Sequence, residues 1–368
     1  MFLRVLLGLA LLAAAIWIVA YVTGEVALHR ETSAQWPYHL GSIDDVAARP
    51  RPRASPEWER LAKVIETLRY PKTQAWIAEQ VKKKDDDVDP APGDLASALA
   101  ENEPKAAEVV RLAIASGDRI ILPVNPPMRV YVAAAVETLA VLALERARAG
   151  DGAAAWDDVH AMWILSSALS RQPLAFSKEL AQELERLANA VARKLPPPAP
   201  PWLEEMTGRD PRPDAAASLQ AETALWEPRR HRSAAIVAFL FKPLIDRFAA
   251  RGIRDARRTA EAMTARCRVD DVAVNAAATT GLPPAQIVYR AARMDAEREA
   301  TAKVLALKGE RARLGRWPPP SPAVAASRCA ENVWQYEVSP DRSMSLRMSL
   351  EPASEPSAKI VPQLDFRY

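Results

Sequence analysis

The chain has 368 residues, 49 Lys and Arg against 46 Asp and Glu, and a formal net charge of +3. That charge is too small to argue for a nucleic-acid partner, and the length is ample for an anchor followed by two folding units. Only 6% of residues are aromatic, 31 prolines stand against 12 glycines, and the two cysteines have neither redox-motif nor zinc-site spacing, so packed helices with many stiff starts are expected.

From Val5 to Val22 the chain is an unbroken apolar and small-residue run, with Arg4 before it and Glu25 after it. As a helix this run is about 27 Å long, close to a hydrocarbon core of about 30 Å. Trp17 and Tyr21 fall near its C-terminal end, where amphipathic rings favour the membrane interface. A cleaved signal peptide is the rival reading. Its apolar stretch is usually shorter, and Thr23-Gly24-Glu25-Val26-Ala27 makes a poor cleavage site. No cysteine follows the run, which excludes a lipidated anchor. Residues 1–24 are therefore read as an uncleaved transmembrane anchor. Arg4 and the α-amine lie on one side; on the other, His29 and Arg30 are offset by Glu25 and Glu31, with Asp44 and Asp45 and then Arg49, Arg51 and Arg53 further on, and this balance favours the N-terminus inside and the body outside. In a bacterium that means the inner membrane, with the body in the periplasm.

Residues 25–54 read as a polar, proline-punctuated stalk. Ser55-Pro56-Glu57 starts a helix with a cap, a proline at the first position and an acid in the first turn. Trp58, Leu61, Ile65 and Leu68 follow at helical spacing, and a short helix comes next around Trp76. Asp85, Asp87 and Asp89 alternate like calcium-loop acids. Pro90 stands where such a loop needs glycine and Ala96 where it needs glutamate, so a solvated charged loop is expected. Asn102 is read as the cap of a helix that stops at Gly117. Residues 128–149 are apolar almost all round but carry Glu137 and Thr138, which predicts a central buried helix rather than a second span. Gly150-Asp151-Gly152 then turns the chain into a helix with Trp156, Val159, Trp163 and Leu169, giving an αα-hairpin rather than a repeat array. A further amphipathic helix completes a first helical region, residues 55–195.

The stretch from Pro196 to Trp202 is a stiff polyproline break and opens a linker over residues 196–213. A second helical region covers residues 214–315. In it Asp214 is read as a cap, an apolar stripe runs from Ile236 to Phe248 with a kink expected at Pro243, and a long helix from Ala285 to Leu314 ends at Gly315. Over residues 316–368 the period changes from 3.6 to 2: Trp334, Tyr336 and Val338 alternate with polar residues, as do Met344, Leu346, Met348 and Leu350. Leu364, Phe366 and Tyr368 supply a third strand. The expected fold is mostly α: a single N-terminal transmembrane helix, a helical-hairpin body and a small C-terminal antiparallel β-sheet.

Candidate chemistry is sparse. Asp157 and His160 share a helix face, where a carboxylate can orient an imidazole. Without a second nearby histidine the pair reads as a hydrogen-bonded surface feature. No nucleophile elbow, SxxK motif or glycine-rich phosphate loop is present, and no metal or cofactor is implied. Cys267 and Cys329 permit a disulfide outside the cytoplasm, worth about 4 kcal/mol in the chain-entropy model; two unrelated buried thiols are the alternative. Arg247, Arg251, Arg254, Arg257 and Arg258 follow the Phe239-Leu240-Phe241 patch. That pattern suits either a cationic helix on anionic lipid or a core-packing helix with a solvated arginine face.

The anchor, the ERARAGDGAAAWDDV stretch at Glu145 to Val159, the FKPLIDR stretch at Phe241 to Arg247, and LGRWPPP at Leu314 to Pro320 followed by VWQYEV form a recognisable set. Together they resemble a family of uncharacterised membrane-anchored helical proteins of Proteobacteria, over most of the chain. In that family the central stretch more often reads Phe-Lys-Pro-Asn and ends in Asn-Arg; here Leu244 and Asp246 replace the two asparagines. The resemblance implies fold and location, and brings no catalytic residues. The function expected is a non-enzymatic envelope protein whose hairpins bind a partner protein, with anionic lipid as a further contact. The alternative is a periplasmic hydrolase acting on envelope material through acids that leave no local signature.

Overall fold

The computed structural model describes residues 2–48, 53–69, 72–83, 86–123, 126–172, 175–225, 236–265, 284–328, 333–340, 343–349 and 365–368. In chain order the helices are α1 (Phe2–Ser33), α2 (Ile43–Ala48), α3 (Pro56–Ile65), α4 (Gln74–Lys82), α5 (Gly93–Ser116), α6 (Pro126–Arg148) and α7 (Gly152–Ser170). They continue as α8 (Ala175–Ala192), α9 (Trp202–Gly208), α10 (Arg212–Leu225), α11 (Ile236–Ala265), α12 (Pro284–Leu314) and the one-turn α13 (Pro322–Ala325). Among the described residues, β1 (Trp334–Val338), β2 (Met344–Met348) and β3 (Asp365–Arg367) form one antiparallel sheet in the order β1-β2-β3. The protein is thus mostly helical, with an apolar N-terminal helix and a small C-terminal sheet, as its periodicity predicts. Two compact units divide the chain, residues 1–50 with 212–288 and residues 51–211 with 289–368.

In the first unit, α1 spans 32 residues, which makes it about 48 Å long. It continues helically past residue 24 into the segment read as a stalk. α11 lies beside it in the same chain direction. Gly24 faces Pro243 and Asp246, and two helical turns later Glu31 meets Arg254 and Arg257. The absence of a side chain at Gly24 sets the approach: a methyl group there would sit 3.0 Å from the Pro243 carbonyl oxygen. Beyond α1, a tight turn closes with the Trp36 amide donating to the Gly41 carbonyl at 2.9 Å. Ser42 and Asp45 then start α2 with a reciprocal cap, Asp45 N to Ser42 Oγ at 3.1 Å and Ser42 N to Asp45 Oδ2 at 2.7 Å. α10 joins this turn through Gln220 Nε2, which donates to the Gly41 carbonyl at 3.0 Å.

The second unit is built on α6, α7 and α8. Asp151 caps α7 by accepting from Ala154 N at 3.1 Å, and α7 is buried on nearly all sides. Val136, Leu139 and Leu144 of α6 pack with Val159, Met162, Leu165 and Leu169 of α7 in one continuous core. Each such side chain contributes about 1.5–3 kcal/mol by leaving water. α3 starts as predicted: Ser55 Oγ accepts from Trp58 N at 3.2 Å and also from Ile121 N at 3.0 Å. Ala300, Val304 and Leu307 of α12 carry the sheet, packing against Trp334, Tyr336 and Leu346. β1 and β2 pair Trp334 with Met348 and Tyr336 with Leu346, so the apolar alternation of both strands falls on one buried face. Gly315 ends α12 with φ +68°.

Two expected caps lie inside their helices. α5 begins at Gly93, so Asn102 is an interior residue. Its side chain is fully buried and turned across to Arg69, accepting from Arg69 N at 2.9 Å and donating to Arg69 O at 2.5 Å. The amide therefore satisfies backbone just past the end of α3, a long-range task that looks like a cap in one dimension. Likewise α10 begins at Arg212, which puts Asp214 in its first turn rather than before it. Replacing Asn102 by Ala removes the partner of two part-buried backbone groups of Arg69. Asn102→Ala should cost about 1–3 kcal/mol. Urea unfolding of the detergent-solubilised full chain, followed by tryptophan fluorescence, measures it; an unchanged midpoint would show that Asn102 carries none of this stability.

Candidate functional site

The arginines singled out in α11 separate into two groups. Arg254 Nε and Arg257 Nη2 donate to the two oxygens of Glu31, at 2.8 and 3.0 Å, and that carboxylate is buried. Arg247, Arg251 and Arg258 are exposed. Arg247 Nη2 donates to Thr23 Oγ1 at 2.6 Å, and Arg251 lies 3.8 Å from Asp255 on its own helix. One turn nearer the N-terminus of α11, Lys242 sits between Glu25 and the buried Asp246, donating to Asp246 Oδ2 at 2.6 Å and bonding Glu25 on its other side. Asp246, one of the two residues that stand in place of asparagines, thus closes a charge cluster at the α1–α11 crossing. The apolar stripe of α11 is not a core stripe: Phe241, Leu244, Ile245 and Phe248 are all exposed. A groove of about 460 Å³ runs between the helices, lined by Ala13, Ile16, Trp17 and Ala20 of α1 and by Phe241, Pro243, Leu244 and Arg247 of α11.

In the second unit no hydrogen bond joins Asp157 to His160. Asp157 is exposed, and the imidazole is instead stacked on Trp202 with centroids 4.3 Å apart and planes within 6°. Trp163 lies 6.0 Å away on a nearly parallel plane. Trp156 meets Trp202 edge-on, and its Nε1 donates to the Pro196 carbonyl at 3.0 Å, which holds the start of the proline stretch against α7. Burial lowers the His160 pKa, against a weaker opposing pull from Asp157. The neighbouring Asp158 is fully buried and accepts from Arg146 Nη1 at 2.7 Å. Burial pushes its carboxyl up to about 7, although the Arg146 guanidinium pulls the other way. His160 is therefore a stacking element in an aromatic cluster, without converging acids.

The densest charge cluster joins α8 to α12. Glu185 accepts from Arg298 at 2.5 and 2.7 Å, and Glu297 accepts from Arg186 and Arg293 at 3.0–3.1 Å. Arg290 pairs with Glu179 at 3.0 Å, and Arg193 donates to Thr301 at 2.8 Å while lying over the Phe366 ring. Burial acts to raise the Glu297 pKa, but the Arg186, Arg293 and Arg193 guanidinia outweigh it and hold the carboxyl below its ordinary value. Nearby, Lys308 Nζ donates to Asp86 and to the carbonyls of Arg193 and Leu195 at 2.8–3.0 Å. Asp86 thus ties the charged loop to Lys308, and Asp89 ties it to the end of α4, pairing with Lys83 at 2.5 Å while its N–H donates to Gln80 Oε1 at 2.8 Å; Asp85 lies outside the described residues. Among the described residues no group of three His, Cys, Asp or Glu side chains is arranged for a metal ion. Cys267 and Cys329 lie outside the described residues.

The sequence reading missed Trp202, Glu31 and Lys308, because each acts on a partner far away along the chain, and Lys242, which reaches distant Glu25 as well as Asp246 on its own helix. The local signals were the i, i+4 spacing of Lys242 and Asp246 and the i, i+3 spacing of Arg254 and Arg257, the latter marking a shared face without naming an acid.

Two stability measurements test these assignments. His160 has a lowered folded pKa, so the unfolded chain takes up its proton first. Its contribution is complete above the ordinary value of about 6.5 and is lost as the pH falls below that. His160→Phe should flatten the stability change between pH 7.5 and 5.5 in urea titrations; an unaltered slope would remove the residue from this role. Glu297→Ala strands buried guanidinia and should cost about 3–5 kcal/mol, whereas Glu297→Gln, which keeps an acceptor, should cost less. Equal losses from the two variants would count against the charge pairing.

No family model, no curated protein and no solved structure matches the chain, so its functional reading rests on its own geometry.

Proposed function

We propose that this chain is a single-pass, membrane-anchored envelope protein, N-terminus in the cytoplasm and body in the periplasm, whose helical hairpins bind a partner protein without catalysis. One observation carries the anchor. The stretch Leu9–Ser33 of α1 is long and apolar enough to cross a membrane, and only 6% of its most apolar window is buried within the protein. Leu9, Leu11, Leu12, Ile16, Ile18 and Val19 are exposed around the helix. A helix apolar on all sides and left uncovered is matched to lipid, not to water.

The orientation is read from Arg4 and the α-amine before the apolar run, with Arg30 beyond it offset by Glu25 and Glu31. The binding reading is supported by the α6–α7 hairpin and by where the acids go. Asp158, Glu185 and Glu297 are buried against guanidinia, and Asp246 lies against the Lys242 ammonium, so these carboxylates are spent on structure. This is an inference from architecture, since hairpins commonly present binding surfaces.

In-cell crosslinking of the tagged full-length protein, followed by mass spectrometry of solubilised membranes, should recover one stoichiometric envelope partner. Repeated recovery of the protein alone would sink the scaffold reading and move weight to the hydrolase. An alkaline phosphatase fused after Tyr368 should be active; a silent phosphatase with a bright fluorescent-protein fusion at the same site would reverse the orientation.

A further inference from the structure

The proposed anchor leaves the exposed apolar face of α11 without a role. Phe241, Leu244 and Phe248 are 55%, 52% and 59% exposed, on a helix whose opposite side is fixed to α1. These three positions cover about 10 Å of helix length. They lie level with the part of α1 where exposed Ile16, Val19 and Val22 give way to Thr23 and Glu25. The apolar surface of α1 therefore does not end at one level all round. On one side it continues sideways onto α11.

We propose that the N-terminal part of α11 is immersed beside α1 in the leaflet on the body side of the membrane, and that phospholipid covers this shelf. Three observations select lipid as the occupant. First, the shelf is continuous with the uncovered surface of the anchor, so a bilayer that surrounds α1 at Ile16 and Val19 also meets Phe241 and Leu244. Second, the open groove between the helices is walled mainly by apolar side chains, among them Ala13, Ala20, Phe241, Pro243 and Leu244, a lining that suits acyl chains. Third, exposed cations border the apolar patch on its body side: Arg247 at the mouth of the groove, beside Phe248, and Arg251 one turn further on, both long enough to reach lipid phosphates. Arg254 and Arg257 belong to the protein's own Glu31 and are not part of the lipid surface. In the ion cluster at this depth the Lys242 ammonium is shared by Glu25 and the buried Asp246, while Lys242 and Glu25 stay 31% and 39% exposed, which suits the headgroup level rather than the acyl chains.

This inference rests on the anchoring of α1, and the test separates the two. Phe241, Leu244 and Phe248 are replaced singly by p-benzoylphenylalanine in the full-length chain, which leaves both cysteines untouched. Ile16 and Arg258 receive the same substitution as references. Each protein is reconstituted into vesicles of phosphatidylethanolamine and phosphatidylglycerol, irradiated, and examined by mass spectrometry for phospholipid adducts. Lipid adducts are expected at 241, 244 and 248 within a few-fold of the yield at Ile16, and none above background at Arg258. Adducts at Ile16 alone, with water quenching at the three α11 positions, would overturn the proposal and leave the anchor standing. Protein adducts at those positions would overturn it equally, and would identify a second copy or another chain as the cover. Absence of lipid adducts at Ile16 would remove the anchor and the proposal together.

Discussion

The placement of the second unit's sheet depends on the charge ladder between α8 and α12. Bringing a carboxylate or guanidinium out of water costs several kcal/mol per ion, so such groups persist in an interior only when paired and hydrogen-bonded. Here the pairing also encodes position. Glu185 and Arg186 are adjacent on α8, and Glu297 and Arg298 are adjacent on α12, but they pair crosswise, Glu185 with Arg298 and Arg186 with Glu297. A one-residue screw shift of α12 would set Glu185 against Glu297 in one direction, or Arg186 against Arg298 in the other. A core of alanine and leucine alone would tolerate such a slip far better. Because α12 presents Ala300, Val304 and Leu307 to Trp334 and Leu346, the alignment fixed by the ladder also fixes where the sheet is built.

What could be read from the sequence divides along a physical line. Features set by neighbours a few residues apart were legible: the Ser55-Pro56 helix start, the Gly150 turn, the glycine stop after α12, and the change of period that announces β1 and β2. Each is a local backbone constraint or a repeating face. Features set by distant partners were not. Asn102 has the composition of a cap but serves Arg69 across the fold. The apolar stripe of α11 has the period of a core helix, yet Phe241 and Phe248 face outward, because Gly24 and Pro243 turn the other side of the helix toward α1. Periodicity reports that a face is apolar; it does not say what lies against it.

The same limit explains the aromatic cluster. Asp157 and His160 are well placed for a hydrogen bond by helical geometry, and a sequence reading joins them. Trp202, more than forty positions later, brings a larger dispersion surface to the imidazole and takes the ring instead. The proline stretch between them, read as a separator, contributes through the Pro196 carbonyl, which receives Trp156. Prolines with fixed φ hold such a contact at small entropic cost.

The length of α1 has a mechanical consequence. The helix continues without a break from its apolar turns to Ser33, and its last turns are fastened to α11 at Gly24 and Glu31. Under the proposed anchoring there is no swivel between lipid and protein, in contrast to a domain hung from a flexible tether. A change in bilayer thickness is accommodated by tilting such a helix, and a tilt of α1 must then carry α11 and the turns fixed to it through the same angle. The first unit would move as a lever with one arm in the membrane.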